Sequence, residues 1–274
     1  MAIMHANNAI TGASKIIFSD NTQQTTAIAA GTTNVRIFTS SGTWNKPSST
    51  LGYNMARIQV WGGGGGGGKS TNTNAAGAGG GGGYNEITIP LSYLGASVYV
   101  TVGAGGSGAI YTGVGGDGGT STVTFATPWP QAGGISAIQA EGGKGGSFDA
   151  SNLYGGDAGG PLASSTLINI NSEGLGSRAS ANNTDGFYFG GGGGGGYGLK
   201  AAGANSVFGG AGGSVGISTG SVSGGLSVYG GAGGTGDISV AGAGTAPGGG
   251  GGAAHNSNIN GGNGAAGRVV ITSF

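Results

Sequence analysis

Two uninterrupted runs of seven glycines, at 62–68 and 190–196, stand in a region where glycine clusters recur from residue 62 to residue 267. Glycine has no side chain to bury, and it loses more backbone entropy on folding than any other residue. A region built this way is ordered only if backbone hydrogen bonds replace an ordinary side-chain core. The scale is large: 73 of the 274 residues are glycine, about four times the usual ~7%. Further clusters lie at 77–83, 103–108, 113–119, 142–146, 155–160, 209–213, 230–236, 242–252 and 261–267. Polar or aromatic connectors such as 69–76 and 147–154 separate them.

Three conformations compete for such a pattern. Collagen requires glycine at every third position and abundant proline; here the glycines are contiguous and there are 6 prolines. A flexible Gly/Ser linker accounts for the clusters but not for strand-like segments embedded among them. The third is a bundle of polyglycine II helices, extended and left-handed, with no internal hydrogen bonds. In that case every buried N–H and C=O must find a partner on a neighbouring rod. Seven residues at ~3.1 Å each span about 22 Å, and matched lengths suit parallel rods.

Disorder is disfavoured by the balance of nine basic and nine acidic residues, because disordered chains typically carry high net charge and few β-branched or aromatic residues. Strands are expected at 16–18, 35–38, 58–61, 87–89, 98–102, 122–125 and 269–271, all β-branched or aromatic. Arg57-Ile-Gln-Val60 alternates polar and apolar as a half-buried strand does. Thr22–Ala30 is the one short helix candidate.

The same composition narrows function. Charged residues make up 7% of the chain, so there is no basic stripe for nucleic acid and no polybasic route to a membrane surface. No segment approaches the ~20 apolar residues of a membrane span. Cysteine is absent, which excludes disulfides and thiolate metal sites. The opening residues 1–8 lack the basic end and apolar run of a signal peptide, giving the expectation that the chain is made in a cytoplasm and leaves by assembly or lysis.

Gly63–Gly68 followed by Lys69-Ser70 matches the phosphate-loop pattern, but that loop works through a following helix, and Thr71–Gly80 is a poor helix former. His5 and His255 are far apart, and no close carboxylate pair suggests a glycosidase. Asp117, Asp157 and Asp237 follow glycines in a manner similar to calcium-binding repeats without completing the pattern; they read as polar turn residues. No enzyme, metal or cofactor is expected. Tyr111, Phe148, Tyr154, Tyr197, Phe208 and Tyr229 lie in or beside connectors, where they either lid the rod ends or stand exposed as binding anchors.

Ile17–Ala27, Phe38–Pro47 followed by Val60–Gly65, and the closing Ala265–Ile271 resemble bacteriophage tail-fibre proteins, and the glycine pattern is similar to that of the distal adhesins of T-even-type phages. The resemblance implies a mostly β fold with polyglycine II helices arranged as a sandwich, whose tip loops contact a bacterial surface. The expected organisation is an attachment and oligomerisation segment at 1–45 and a receptor-binding domain at 46–274. The expected function is a virion tail-fibre or adhesin subunit, a homotrimer, partnered by other tail-fibre or baseplate proteins and by a host outer-surface protein or glycan. The six connector aromatics are its candidate receptor-binding residues. A purely structural virion component, or an ice- or polysaccharide-binding protein, is the alternative.

Overall fold

The computed structural model describes residues 3–4, 10–11, 16–17, 23–24, 33–48, 52–70, 76–129, 135–147, 155–159, 161–163, 191–192, 194–195, 201–215, 221–255 and 258–274. The described chain is mostly β. Two short hairpins come first: β1 (Ile3–Met4) pairs with β2 (Ile10–Thr11), and β3 (Ile16–Ile17) with β4 (Gln23–Gln24). Gln23 and Gln24 therefore stand in a strand where a short helix is expected over 22–30; the other residues of that stretch lie outside the described residues. Threonines on both sides of the two glutamines disfavour helix, and Ile16 and Ile17 offer a strand to pair with.

Two antiparallel sheets follow. One has the order β5 (Asn34–Phe38), β13 (Arg268–Ser273), β7 (Met55–Trp61), β8 (Tyr84–Pro90). The other runs β12 (Pro161–Ala163), β11 (Ile135–Ala140), β10 (Ser121–Trp129), β9 (Ser97–Thr101), β6 (Gly42–Asn45). β5 and β6 come from the 1–45 segment and complete the two sheets. Among the described residues the one helical element is a 3-10 turn at Leu91–Tyr93, and no helix is long and apolar enough to cross a membrane.

Period-2 alternation decides which face each strand buries. In β7, Ala56, Ile58 and Val60 are buried, while Arg57 is exposed and Gln59 half-buried. Ile58 and Val60 lie opposite Ile271 and Val269 of β13. The second sheet contributes Trp44, Val98, Val100, Val123, Phe125 and Ile138 to the same core. Each such side chain contributes roughly 1.5–3 kcal/mol of burial.

The strands run directly into glycine segments, and there the hydrogen-bond pattern changes. Gly62, Gly65 and Gly68 donate to the carbonyls of Gly83, Gly80 and Gly77. Gly63, Gly66 and Lys69 donate to Gly119, Gly116 and Gly113, and Gly64 and Gly67 to Ala265 and Gly262. The carbonyls of 63–68 accept in the same rotation, from Gly143 and Gly146, from Gly106 and Ala109, and from Gly251 and Ala254. Six neighbours thus surround this segment, three running antiparallel and three parallel, with N···O distances of 2.8–3.0 Å. Segment 77–83 shares the pattern, donating to 141–147, 192–195 and 248–251.

This packing explains the glycines. A Cβ placed on any of Gly62 to Gly67 would lie 2.0–2.1 Å from a neighbour's carbonyl oxygen, and backbone cannot swing aside as a side chain can. Gly248 has a second reason: it turns the chain at φ 77°, a conformation costly for any residue with a Cβ.

Gly65→Ala, whose Cβ would meet the Lys144 carbonyl oxygen at 2.0 Å, should destabilise by ~3 kcal/mol or more. Gly113→Ala, whose nearest new contact is 3.8 Å away, should be neutral or stabilise by up to ~1 kcal/mol. Urea unfolding midpoints of the two variants check this; equal midpoints would mean that the segments are not close-packed.

Candidate functional site

Close packing without side chains leaves the glycine segments little to offer a ligand, so chemical variety falls to their ends. At one end the segments join the strands: Gly62 follows β7, Gly83 precedes β8, and Gly267 precedes β13. The turns at 206–210, 226–231 and 245–248 reach the same end, as the bonds from Gly210 to Gly82, Gly82 to Gly248 and Gly231 to Pro247 show. The opposite end carries the connectors around 110–112 and 236–242, together with residues 258–260. Beneath it Ala76, Ala78, Ala201, Val215 and Ala253 form a small buried cluster.

At the sheet end a series of rings runs outward from β7 and β8. Trp61 and Tyr84 are tilted against each other at 4.9 Å, Phe208 stacks on Tyr84 at 5.1 Å, and Tyr229 stacks on Phe208 at 4.9 Å. The Trp61 indole donates to the Phe208 carbonyl at 2.7 Å, which fixes the turn on the sheet. The Tyr84 hydroxyl donates to Glu86, which also accepts from Arg57 at 2.7 Å and Gln59 at 3.2 Å. Burial, with the Glu86 bond, pushes the Tyr84 phenol well above its usual range. Burial alone would raise the Glu86 carboxyl, but the bonds from Arg57 and Tyr84 outweigh it and hold Glu86 below the ordinary value.

At the opposite end the connector after Ala109 carries Ile110, Tyr111 and Val114, exposed by 62%, 82% and 62%. Its base is pinned. Lys69 is buried, and its ammonium donates to the Ile110 carbonyl at 2.9 Å and to Asn260 Oδ1 at 3.3 Å. Lys69 and Gly113 also exchange backbone bonds at 3.0 Å. The amides of Gly63–Gly68, which a phosphate loop would turn toward its ligand, are donated to backbone carbonyls. Asp117 accepts from Lys144 at 2.9 Å and from the Gly145 amide at 2.8 Å. Asp237 accepts from both the amide and the hydroxyl of Ser239, as a turn-forming aspartate does.

The structure therefore separates the candidate aromatics. Phe208 and Tyr229 stand together at the sheet end; Tyr111 stands at the opposite end. Phe148, Tyr154 and Tyr197 lie outside the described residues. Phe208 acts as a lid, half-buried between two rings, while Tyr229 is 59% exposed. Sequence reasoning missed Ile110 and Val114 as companions of Tyr111, and Lys69 as their anchor. It also passed over a repeat: Ser206-Val-Phe-Gly-Gly-Ala-Gly-Gly213 returns as Ser227-Val-Tyr-Gly-Gly-Ala-Gly-Gly234, the offset of 21 spanned by the Leu226 to Asn205 hydrogen bond.

A family model for a glycine-rich domain matches residues 38–273, reaching from the end of β5 to the end of β13. No curated protein matches the sequence.

His255 borders the connector end, with a buried Nε2 that has no hydrogen-bond partner. Burial disfavours the imidazolium and lowers the group from its ordinary 6.5. Below about pH 6.5 the unfolded chain therefore binds a proton that the folded chain resists, so stability is full above that value and falls as pH drops through it. Urea midpoints from about pH 7 to about pH 5 should fall less steeply in His255→Gln than in wild type. Identical slopes would remove His255 as a source of the loss.

Proposed function

The chain belongs to the glycine-rich domain family, and we propose that it is a tail-fibre or adhesin subunit that attaches a bacteriophage to its host cell. The observation that carries this reading is the pinned connector at 109–114. It holds a strongly exposed tyrosine and two exposed aliphatic side chains at the end of the glycine segments remote from the sheets. Loops on a rigid scaffold are where recognition is ordinarily placed, and aromatic anchors dominate interface energies. An exposed apolar group on a fixed backbone loses little conformational entropy when a partner covers it.

The glycine segments are read as polyglycine II helices packed in a sandwich. The three-step rotation of their hydrogen bonds supports this, because such helices have three residues per turn and no internal bonds. The subunit is a homotrimer held through residues 1–45, joined to other tail-fibre or baseplate proteins, and its receptor is a host outer-surface protein or glycan. With 7% charged residues in the chain, receptor binding depends weakly on salt.

Purified Tyr111→Ala should keep the wild-type unfolding midpoint, because the ring is solvated. Its adsorption to host cells should fall by ~10-fold or more, the scale of an aromatic hot spot. Adsorption equal to wild type would remove this connector as the adhesin tip and favour a structural virion component without receptor binding.

A further inference from the structure

The pin that holds the 109–114 connector is itself held by the segment that ends at His255. Segment 248–254 bonds to six neighbours: 65–70, 79–82, 211–214, 234–237, 242–245 and 262–266. At its end the Ala254 amide donates to the Gly68 carbonyl, and the Ala254 carbonyl accepts from the Ser70 amide, both at 3.0 Å. Ala254 thus brackets Lys69, which exchanges backbone bonds with Gly113 and reaches Ile110 and Asn260 through its ammonium. His255 is the next residue, half-buried, and its Nε2 is buried without a hydrogen-bond partner. A second proton on the ring would put a charge where Nε2 has neither water nor an acceptor. The surroundings offer no relief. Within 65–70, 76–83, 210–215, 234–237, 242–245 and 258–266 the charged groups are Lys69 and Asp237. Lys69 is a like charge, and the Asp237 carboxylate is engaged by the Ser239 amide and hydroxyl. Tyr111, the titratable group of the connector, is solvated.

We propose that protonation of His255 unlatches the 109–114 connector, so that this end of the molecule is ordered for recognition in neutral surroundings and released in mildly acidic ones. Its bearing on recognition rests on the reading of that connector as the adhesin tip. Solvating Nε2 displaces the backbone that buries it, and Ala254 is the residue beside it. Movement of Ala254 breaks the bonds to Gly68 and Ser70 on both sides of Lys69. With Lys69 goes the hold on Ile110 and Gly113. Linkage sets the direction. The opened form titrates near the ordinary 6.5, and burial holds the closed form below it. The connector is therefore fully latched above about pH 6.5 and loosens as pH falls below that value. Between about pH 7.5 and about pH 5.5 the opened fraction rises by up to about tenfold.

Hydrogen exchange on the full-length protein reads this opening without any host cell. Comparing wild type with His255→Gln at one pH cancels the intrinsic exchange rate. The wild-type-to-variant rate ratio at the amides of Lys69, Ser70 and Gly113 should rise by up to about tenfold from about pH 7.5 to about pH 5.5. The amides of Ile58 and Val60 in the sheet core should show no such rise, which separates local release from global destabilisation. His255→Leu, likewise without a titrating group, gives the same comparison should His255→Gln not fold. Adsorption of wild type to host cells should fall reversibly at about pH 5.5, while His255→Gln stays adsorbed. The latch is overturned if 66–70 and 109–114 exchange with the same pH dependence in wild type and variant, or if Ile58 and Val60 accelerate equally. Exchange as expected with unchanged adsorption would uphold the latch and overturn instead the connector's role as the adhesin tip.

Discussion

A backbone amide meeting a carbonyl at 2.8–3.0 Å, with no Cβ between the two chains, is the contact on which the rest of this molecule depends. A lone glycine segment has no hydrogen bond of its own to make, so its order is borrowed from neighbours on all sides. Those neighbours need a starting alignment, and the sheets supply it. Trp61 of β7 lies opposite Tyr84 of β8, and the next pair outward is the bond from Gly62 to Gly83. β13 enters the same sheet from Gly267 beside Trp61. The apolar core between the sheets therefore sets the phase in which the first glycine segments meet.

That division of labour explains how so little charge suffices. The ion pairs Arg57–Glu86 and Lys144–Asp117 are both substantially solvated, and pairs of that kind contribute ~0–1 kcal/mol each. Stability rests instead on many bonds of about 1 kcal/mol net and on one apolar core. The surface consequence is a molecule with chemically bare flanks along the segments and side-chain variety concentrated where the chain turns. Tyr111 and Tyr229 mark opposite ends of that arrangement, one on a pinned connector and the other on the outermost of two stacked repeats.

The strands were legible where β-branched residues are concentrated, as at Ile58 and Val60 or Val98 and Val100. β6 and β11 were not. Gly42-Thr-Trp-Asn45 contains two poor strand formers, and Ile135-Ser-Ala-Ile-Gln-Ala140 has no run of β-branched residues. Pairing with β9 and β10 recruits them, which is tertiary context overriding propensity. The crowding of the glycine runs could be read from composition, because contiguous glycine has no other close-packed use. The end at which each aromatic emerges could not. Phe208 and Tyr111 look alike in sequence, each beside a glycine run, and the direction of the local segment decides which side of the molecule each reaches. Lys69 shows a similar limit. Its neighbours suggested a phosphate loop, whereas its ammonium serves two oxygens from connectors distant in sequence.

The rotation of bonding partners along 62–68 also limits how such a domain can change length. Each residue there addresses the same neighbour as the residue three positions away. Inserting or deleting a single glycine would turn every later amide toward the wrong neighbour, and two would do the same in the other sense. Three restore the pattern and lengthen the segment by one step. A connector such as 110–112 carries no such constraint. Gene variants of this architecture should thus show length differences in triplets of residues within the glycine runs and in any number between them.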